Sequence, residues 1–144
     1  MSKTQIFSNI MVAVDGSEAS YHATKYGVSI AKKFNSNLTI VHVIVSDIGI
    51  FGPSLPTHIA ALKEEAEQYL EDMKKEAVTE NIQVQTQIIA SASIVGGLVD
   101  YASKEESDLI VLGTKGKSSI KKLLLGSVAS GMVTYAHCPV MVVR

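Results

Sequence analysis

Several residue types are scarce in this chain, and each scarcity excludes a class of protein. Cys138 is the only cysteine, so no disulfide can form within the chain, and we expect a reducing, cytoplasmic setting. No stretch approaches the roughly 20 uninterrupted apolar residues of a membrane-spanning helix, and the amino terminus lacks signal-peptide character. We therefore expect no membrane partner.

Charged residues are also few, at 19% of the chain, and they nearly cancel to a net charge of −1. This balance gives no reason to expect a nucleic-acid partner, because nucleic acids are bound by strongly basic surfaces. Hydrophobic residues make up 47% of the 144 residues, which is ordinary for a globular protein. We predict one domain spanning residues 1–144.

Spacings typical of metal sites are missing as well, since the sequence contains neither an H-x-x-x-H nor a C-x-x-C pair. His137 and Cys138 are sequence neighbours, which does not place a base against a nucleophile, and we interpret both as structural. His42 lies inside an apolar run and is interpreted as a core residue with satisfied ring nitrogens. The sequence therefore predicts no catalytic residue and no metal ligand.

What the chain does contain is an alternation of apolar runs and helical stripes. Continuous apolar runs predict buried strands at 10–14, 38–45, 109–112 and 140–143. Period-two alternation predicts a half-exposed edge strand at 82–89. Apolar spacings of three and four predict helices from Ser17 or Glu18 to Phe34, over 57–79, from Ser91 or Ser93, and from Ser127 to His137. Strands alternating with helices predict an α/β fold with a parallel sheet and helices on both faces.

The helical stripes also predict which side chains point inward. The first helix is expected to bury Ala19, Ala23, Gly27, Ile30 and Phe34. The short fourth helix is expected to bury Val128, Met132 and Val133. The segment 46–56 has no period and contains two glycines and two prolines, so it is predicted to be a loop and a candidate lid.

The strongest functional pattern runs from Asp108 to Gly131. Gly113, Gly116 and Gly126 follow the fourth predicted strand, and Ser127 stands where the next helix begins. Glycine allows positive φ and lets backbone N–H groups approach a ligand. A helix N-terminus adds unpaired donors and a partial positive charge. The pattern predicts an anion site, and a phosphate suits it.

The charge of this segment agrees with an anion site. It contains four lysines and no acidic residue occurs from Leu109 to Arg144, so an anion would meet no local repulsion; the lysines are Lys115, Lys117, Lys121 and Lys122. Lysines of this kind also occur simply as solvated surface residues. A Walker A loop is excluded, because Val111 stands where that motif requires its first glycine.

These residues resemble a known family. Gly113-x-x-Gly116, nine further residues and then Gly126-Ser127 resemble the G-2x-G-9x-G-[S/T] signature of the ATP-binding branch of the universal stress protein family. The segments VAVDGSEAS, VHV, LIVLGTKG, LLLGSVAS and HCPVMVVR resemble its other landmarks in the same order. The resemblance implies a Rossmann-like, doubly wound sheet of five parallel strands in the order 3-2-1-4-5.

The resemblance also implies the residues of an adenine-nucleotide site. Val43 and Ala13 would contact the base, and Asp15 would hold the ribose, because a carboxylate accepts hydrogen bonds from hydroxyls. Some family members supply a further phosphate-binding hydroxyl where this chain has Ala129. The complete expected set is Ala13, Asp15, Val43, Leu112, Gly113, Gly116, Lys117, Gly126, Ser127 and Val128. Asp15 as a simple helix cap and Gly126-Ser127 as a simple helix start are the structural alternatives.

The implied function is binding of ATP, or of AMP or ADP, by a stress-response regulatory protein, with Mg²⁺ bridging the phosphates. The expected partners are a second copy, paired through strand Val140 to Val143, and an unknown protein. The alternative is a slow ATPase or nucleotidyl-transferring enzyme, since fold alone does not decide function. Phosphoryl transfer requires positioned metal ligands and a group that orients the nucleophile, and the sequence shows neither.

Overall fold

The computed structural model describes residues 5–46, 56–114 and 125–144, without the side chains of Pro56 and Thr57. Five strands alternate with four helices in these ranges: β1 (Asn9–Ala13), α1 (Glu18–Phe34), β2 (Asn37–Val45), α2 (Pro56–Thr79), β3 (Val84–Ser91), α3 (Ile94–Lys104), β4 (Leu109–Gly113), α4 (Ser127–Tyr135) and β5 (Val140–Val143). The predicted loop and lid at 46–56 falls outside the described residues except for its ends. So do Gly116 and the four lysines at 115, 117, 121 and 122.

The strands form one parallel sheet in the order β3-β2-β1-β4-β5, which confirms the expected α/β fold and strand order. β1 lies at the centre, with Val12 level with Ile40 on β2 and Val111 on β4. The winding direction reverses between β1 and β4, and ligands bind at such a point beyond the carboxyl ends of the strands. The edge position predicted for the 82–89 strand is confirmed, with bounds shifted to Val84–Ser91.

Two apolar clusters cover the two faces of the sheet. One joins Val12 of β1 to residues of α1 and α2, including Ala23 and Met73. The other joins Met11 of β1 to residues of α3 and α4, including Met132. Neighbouring residues of β1 therefore serve opposite faces, as the period of two along a strand requires. This is why an uninterrupted apolar run marked the strand as buried on both sides.

Polar side chains cap the starts of α1 and α3. Ser17 caps α1, with its Oγ accepting the N–H of Ser20 at 3.2 Å. The sequence left Ser91 and Ser93 open as the cap of α3, and the structure selects Ser93, whose Oγ accepts the N–H of Gly96 at 2.9 Å. Such caps satisfy one of the donors that a helix start leaves unpaired.

The predicted inward face of α1 is partly wrong. Phe34 is 40% exposed and instead meets Phe7 edge-on, while Ser20 and Thr24 are buried. Both hydroxyl groups can be buried because each donates a hydrogen bond to a backbone carbonyl one turn earlier: Ser20 to Ser17 and Thr24 to Ser20. A stripe traced through apolar residues alone is therefore displaced from the true contact face.

The predicted inward face of α4 is also wrong at one position. Val133 is 55% exposed, whereas Ala129 and Met132 are buried. Residues three and four apart share one face of a helix, so the stripe through Ala129, Met132 and Ala136 leaves Val133 on the other side. The helix ends at Tyr135 and not at His137.

Candidate functional site

A cavity of about 400 Å³ opens at the carboxyl-terminal edge of the sheet, where β1 and β4 end. Small-molecule sites commonly have this volume, roughly 300–1,000 Å³. Eight of the ten residues expected for a nucleotide site line it: Ala13, Asp15, Val43, Leu112, Gly113, Gly126, Ser127 and Val128. The other two, Gly116 and Lys117, lie outside the described residues.

A larger concavity of about 690 Å³ lies at the opposite, amino-terminal edge of the sheet, lined by residues such as Asn9, Asn37 and Gln85. None of the ten expected residues lines it. We assign the candidate site to the smaller cavity, because open parallel sheets bind ligands beyond the carboxyl ends of their strands.

Asp15 shapes the turn that leads from β1 into α1. Its Oδ1 accepts the N–H of Ser17 at 2.9 Å, an Asx turn, and Gly16 between them has a φ of +83°. The cap of α1 is Ser17, so Asp15 is not the helix cap that the structural alternative supposed. Its carboxylate supports the turn and also lines the cavity.

The glycines at the cavity differ from the sequence-based expectation of positive φ. Gly126 has a φ of −65°, and among the described glycines only Gly16 has a positive φ. Gly113 is required for another reason: a β-carbon there would lie 2.9 Å from Ala19 Cβ and 3.1 Å from the Ala19 carbonyl oxygen. Glycine at the end of β4 therefore permits close packing against α1 beside the cavity.

The amino-terminal end of α4 forms another side of the cavity. Gly126 is its cap residue and provides no side chain, and Ser127, Val128 and Ala129 follow it along the lining. The first N–H groups of a helix have no partner within the helix and carry part of its positive dipole. This side of the cavity suits an anion.

Helix α2 supplies lining residues that the sequence did not identify as functional: Leu62, Glu65, Ala66 and Tyr69. His42 of β2 lies beside them, with Nδ1 at 3.0 Å from the Val14 carbonyl oxygen and at 2.5 Å from Tyr69 Oη. The predicted hydrogen bonding of the His42 ring is present at Nδ1, but the residue is half-buried and is not part of the core. Its place in the cavity wall was missed, because an apolar run gives no signal for it.

The environment keeps two groups protonated. Burial, aided by the negative charges of Asp15 and Glu65, raises the pKa of Tyr69 well above its ordinary value, so its phenol is neutral and able to donate a hydrogen bond. Burial, and then the charge of Asp108, raises the pKa of the Cys138 thiol. A protonated thiol is a poor nucleophile, in keeping with the structural interpretation of Cys138.

The described part of the chain gathers no group of three or more His, Cys, Asp or Glu side chains able to hold a metal ion. None of the helices within the described ranges is both long and apolar enough to cross a membrane.

The wall of the cavity combines the turn that carries the Asp15 carboxylate, the amino-terminal end of α4 and an apolar side that includes Leu98 and Leu112.

Comparison with known proteins agrees with this architecture. A model of the "Universal stress protein family" matches residues 7–144. A universal stress protein of Methanocaldococcus jannaschii is 34% identical, with 96% of this chain and 83% of that protein covered. The solved structure of UspA from Lactobacillus plantarum superposes with a TM-score of 0.81 at 29% identity, covering 96% of this chain and 98% of that one.

Three more distant structures share the fold and contain nucleotides. A universal stress protein in complex with cAMP has 24% identity, a TM-score of 0.71 and coverage of 96% and 98% of the two chains. The universal stress protein from Archaeoglobus fulgidus in complex with dAMP has 20% identity, a TM-score of 0.75 and coverage of 96% of this chain and 99% of that one. A universal stress protein family protein from Arabidopsis thaliana with AMP bound has 16% identity, a TM-score of 0.66 and coverage of 94% of this chain and 90% of that one.

Proposed function

The chain belongs to the universal stress protein family, and from that premise we propose that it binds an adenine nucleotide, with ATP as the physiological ligand, in the cavity between β1 and β4. AMP and ADP are the alternative ligands. The proposed role is regulatory: the bound nucleotide determines how the protein interacts with a protein partner in a stress response.

The convergence of two separate features on one cavity carries the proposal. Asp15 stands on one side and the amino-terminal end of α4 on another, although about a hundred residues separate them in the chain. A carboxylate accepts hydrogen bonds from ribose hydroxyls, while helix N–H groups attract phosphates. A nucleotide needs both kinds of contact at once. The fold shared with structures holding cAMP, dAMP and AMP supports the same ligand class.

In the proposed complex the base lies against Ala13, Val43 and Leu112, which are apolar and lie at or near the carboxyl ends of neighbouring strands. Asp15 and Gly113 hold the ribose. Gly126, Ser127 and Val128 bind the phosphates, joined by Gly116 and Lys117 from outside the described residues. Mg²⁺, if it accompanies ATP, is held mainly by the phosphate oxygens, because the ion retains several waters at such sites.

Calorimetric titration of the purified protein with ATP, ADP and AMP, with and without Mg²⁺, tests the proposal. We expect saturable binding that Asp15→Ala and Ser127→Ala weaken, while Glu67→Ala, an exposed change outside the cavity, leaves it unchanged. No heat and no competition at saturating nucleotide would exclude the function. Product analysis of the same samples separates binding from slow hydrolysis: turnover that Asp15→Ala abolishes would favour the enzyme.

We also propose that two copies pair along β5, the edge strand of the sheet next to β4. The carbonyl oxygens of Pro139 and Val143 accept the N–H groups of Ile110 in β4 and of Thr114 just after it. The alternate residues Val140 and Val142 therefore direct their backbone groups away from β4. Proline has no N–H to donate, so Val142→Pro removes one outward donor and spares the β4 ladder. Light scattering should then report a dimer for the wild type and a folded monomer for Val142→Pro; equal masses would contradict the pairing.

A further inference from the structure

Tyr69 and His42 lie beside Asp15 in the cavity wall, and we propose that they are positioning residues for it. Tyr69 holds the Asp15–Gly16 turn in place, and His42 holds Tyr69. The inference rests on the proposed nucleotide function, in which Asp15 binds the ribose. It assigns a role to two residues that belong neither to the glycine pattern nor to the expected nucleotide contacts.

The first contact is between the Tyr69 ring and Gly16. A β-carbon built at Gly16 would lie 2.7 Å from Tyr69 Cε2 and 2.9 Å from Cδ2, closer than real side chains approach. The ring therefore fills the space that a side chain at position 16 would need, and the φ of +83° suits glycine for the same turn. Packed interiors have little free volume, so the ring restrains where the turn can go. Asp15 precedes Gly16 directly and shares that restraint.

The second contact fixes the Tyr69 ring itself. His42 Nδ1 lies 3.0 Å from the Val14 carbonyl oxygen, which can only accept, so we assign a hydrogen to Nδ1. Tyr69 Oη, also in contact with Nδ1, then accepts from the same N–H group. The two rings meet edge to face, with centroids 5.5 Å apart and planes at 86°. His42 thus ties α2 to Val14, the residue immediately before Asp15.

The backbone at Val14 is restrained from a further direction. Its N–H donates to the Val41 carbonyl oxygen at 2.9 Å, which extends the β1–β2 pairing beyond the end of β1. On the far side of Asp15, its own Oδ1 accepts the N–H of Ser17. A backbone bond at Val14 and the bond from Ser17 to the Asp15 side chain therefore hold the two ends of the turn, and the Tyr69–His42 pair covers the middle of it. A carboxylate held in this way is oriented before the ligand arrives, which reduces the entropy lost on binding.

A purely structural role for Tyr69 makes a different prediction. Tyr69 also packs against the α1–α2 cluster, so its removal lowers stability in either case. A general loosening would weaken every ligand of the cavity alike. A positioning role affects only the contact that Asp15 makes, which is the contact with the sugar hydroxyls.

The test compares ATP with 2′,3′-dideoxy-ATP, which lacks those hydroxyls, by calorimetry on the wild type, Tyr69→Leu, Asp15→Ala and the double variant Asp15→Ala/Tyr69→Leu. We expect Tyr69→Leu to weaken ATP binding about tenfold and to leave the affinity for dideoxy-ATP within about twofold of the wild-type value. In the Asp15→Ala background, Tyr69→Leu should cause no further loss of affinity, because the effects of residues that act through one another are not additive. Tyr26→Leu, at an exposed ring of α1, is the matched control and should bind both nucleotides like the wild type.

Equal losses for the two nucleotides, or losses that add to that of Asp15→Ala, would overturn the positioning role while leaving the nucleotide function intact. Failure of the wild type to bind either nucleotide would overturn the proposed function and this inference with it. If Tyr69→Leu does not fold, Tyr69→Phe decides with the same ligands, since it retains the ring and removes the hydroxyl that contacts His42. A loss confined to ATP supports the inference, equal losses overturn it, and no loss overturns the role of His42.

Discussion

A β-carbon built on Gly27 of α1 would lie 2.5 Å from Cγ2 of Val12 in β1. Val12 is completely buried at the centre of the sheet, so it has no room to move aside. The helix therefore crosses the central strand at a separation that only glycine allows. This contact sets the position of α1, whose first turn borders the cavity through Ser17 and Ser20.

The variant Gly27→Ala tests this contact, because two effects on stability oppose each other there. Alanine improves helix propensity by about 1 kcal/mol, whereas an added methyl group in a packed core costs about 1–3 kcal/mol. Since Val12 cannot yield, we expect the clash to prevail and the free energy of unfolding to fall by about 1 kcal/mol in urea titrations. In a Val12→Ala background the same change should stabilise the protein. Stabilisation by Gly27→Ala alone would contradict the geometry.

Gly113→Ala should destabilise the protein even in the absence of nucleotide. The new β-carbon would meet backbone atoms of Ala19 as well as its side chain, and backbone cannot shift cheaply. We expect a loss of about 1–3 kcal/mol in the free energy of unfolding. Ala19→Gly should restore only part of it, because the contacts at 3.1 Å with the Ala19 carbonyl group persist. Full restoration would show that only the Ala19 methyl group clashes, whereas a loss seen only with nucleotide present would show that Gly113 is needed for the ligand and not for packing.

The contact between Gly113 and Ala19 illustrates which features of the fold can be predicted from the sequence and which cannot. Apolar runs and stripes predicted the order and type of the elements, because burial imposes periods of two and 3.6 that are readable in one dimension. The same patterns could not reveal that Gly113 faces Ala19, or that Phe34 is exposed while Thr24 is buried. Those facts depend on how elements meet in space.

The residues of the candidate site likewise include some that the sequence identifies and some that only the structure shows. Asp15 was identified through the family resemblance and Gly126 through the glycine spacing, and the fold brings them to one cavity. Tyr69 lies in the apolar spacing that predicts the helix over 57–79, and nothing in that spacing indicates that its hydroxyl reaches His42. A polar group at the tip of a core residue has no period of its own, so its partner becomes visible only in the structure.

Asp108 joins the starts of β4 and β1, and Asp108→Ala should destabilise the fold. Its carboxylate accepts the N–H groups of Ser8 at 2.9 Å and Asn9 at 3.1 Å, while its own N–H donates to the Asn9 carbonyl at 2.9 Å. Removing a charged acceptor from part-buried donors costs about 1–3 kcal/mol. Asp108→Asn, which retains one acceptor oxygen, should lose less. Asp100→Ala, at an exposed position of α3, serves as the control in the same urea titrations; a loss equal to that of Asp108→Ala would contradict the role.

The raised pKa of Tyr69 makes the fold sensitive to alkali. Burial is the main cause, followed by the charges of Asp15 and Glu65, and the ordinary value of the unfolded chain is 10.0. Above about pH 10 the unfolded chain therefore binds fewer protons than the folded one, so stability falls as pH rises through this range; below that pH the contribution is fully present. Phenylalanine cannot ionise, so Tyr69→Phe should lose less stability than the wild type between about pH 9 and about pH 11. Tyr26→Phe, at a ring that is 46% exposed, is the matched control. Urea midpoints measured across this range should converge for Tyr69→Phe and the wild type as pH rises, and a constant difference between them would show that the Tyr69 proton is not linked to folding.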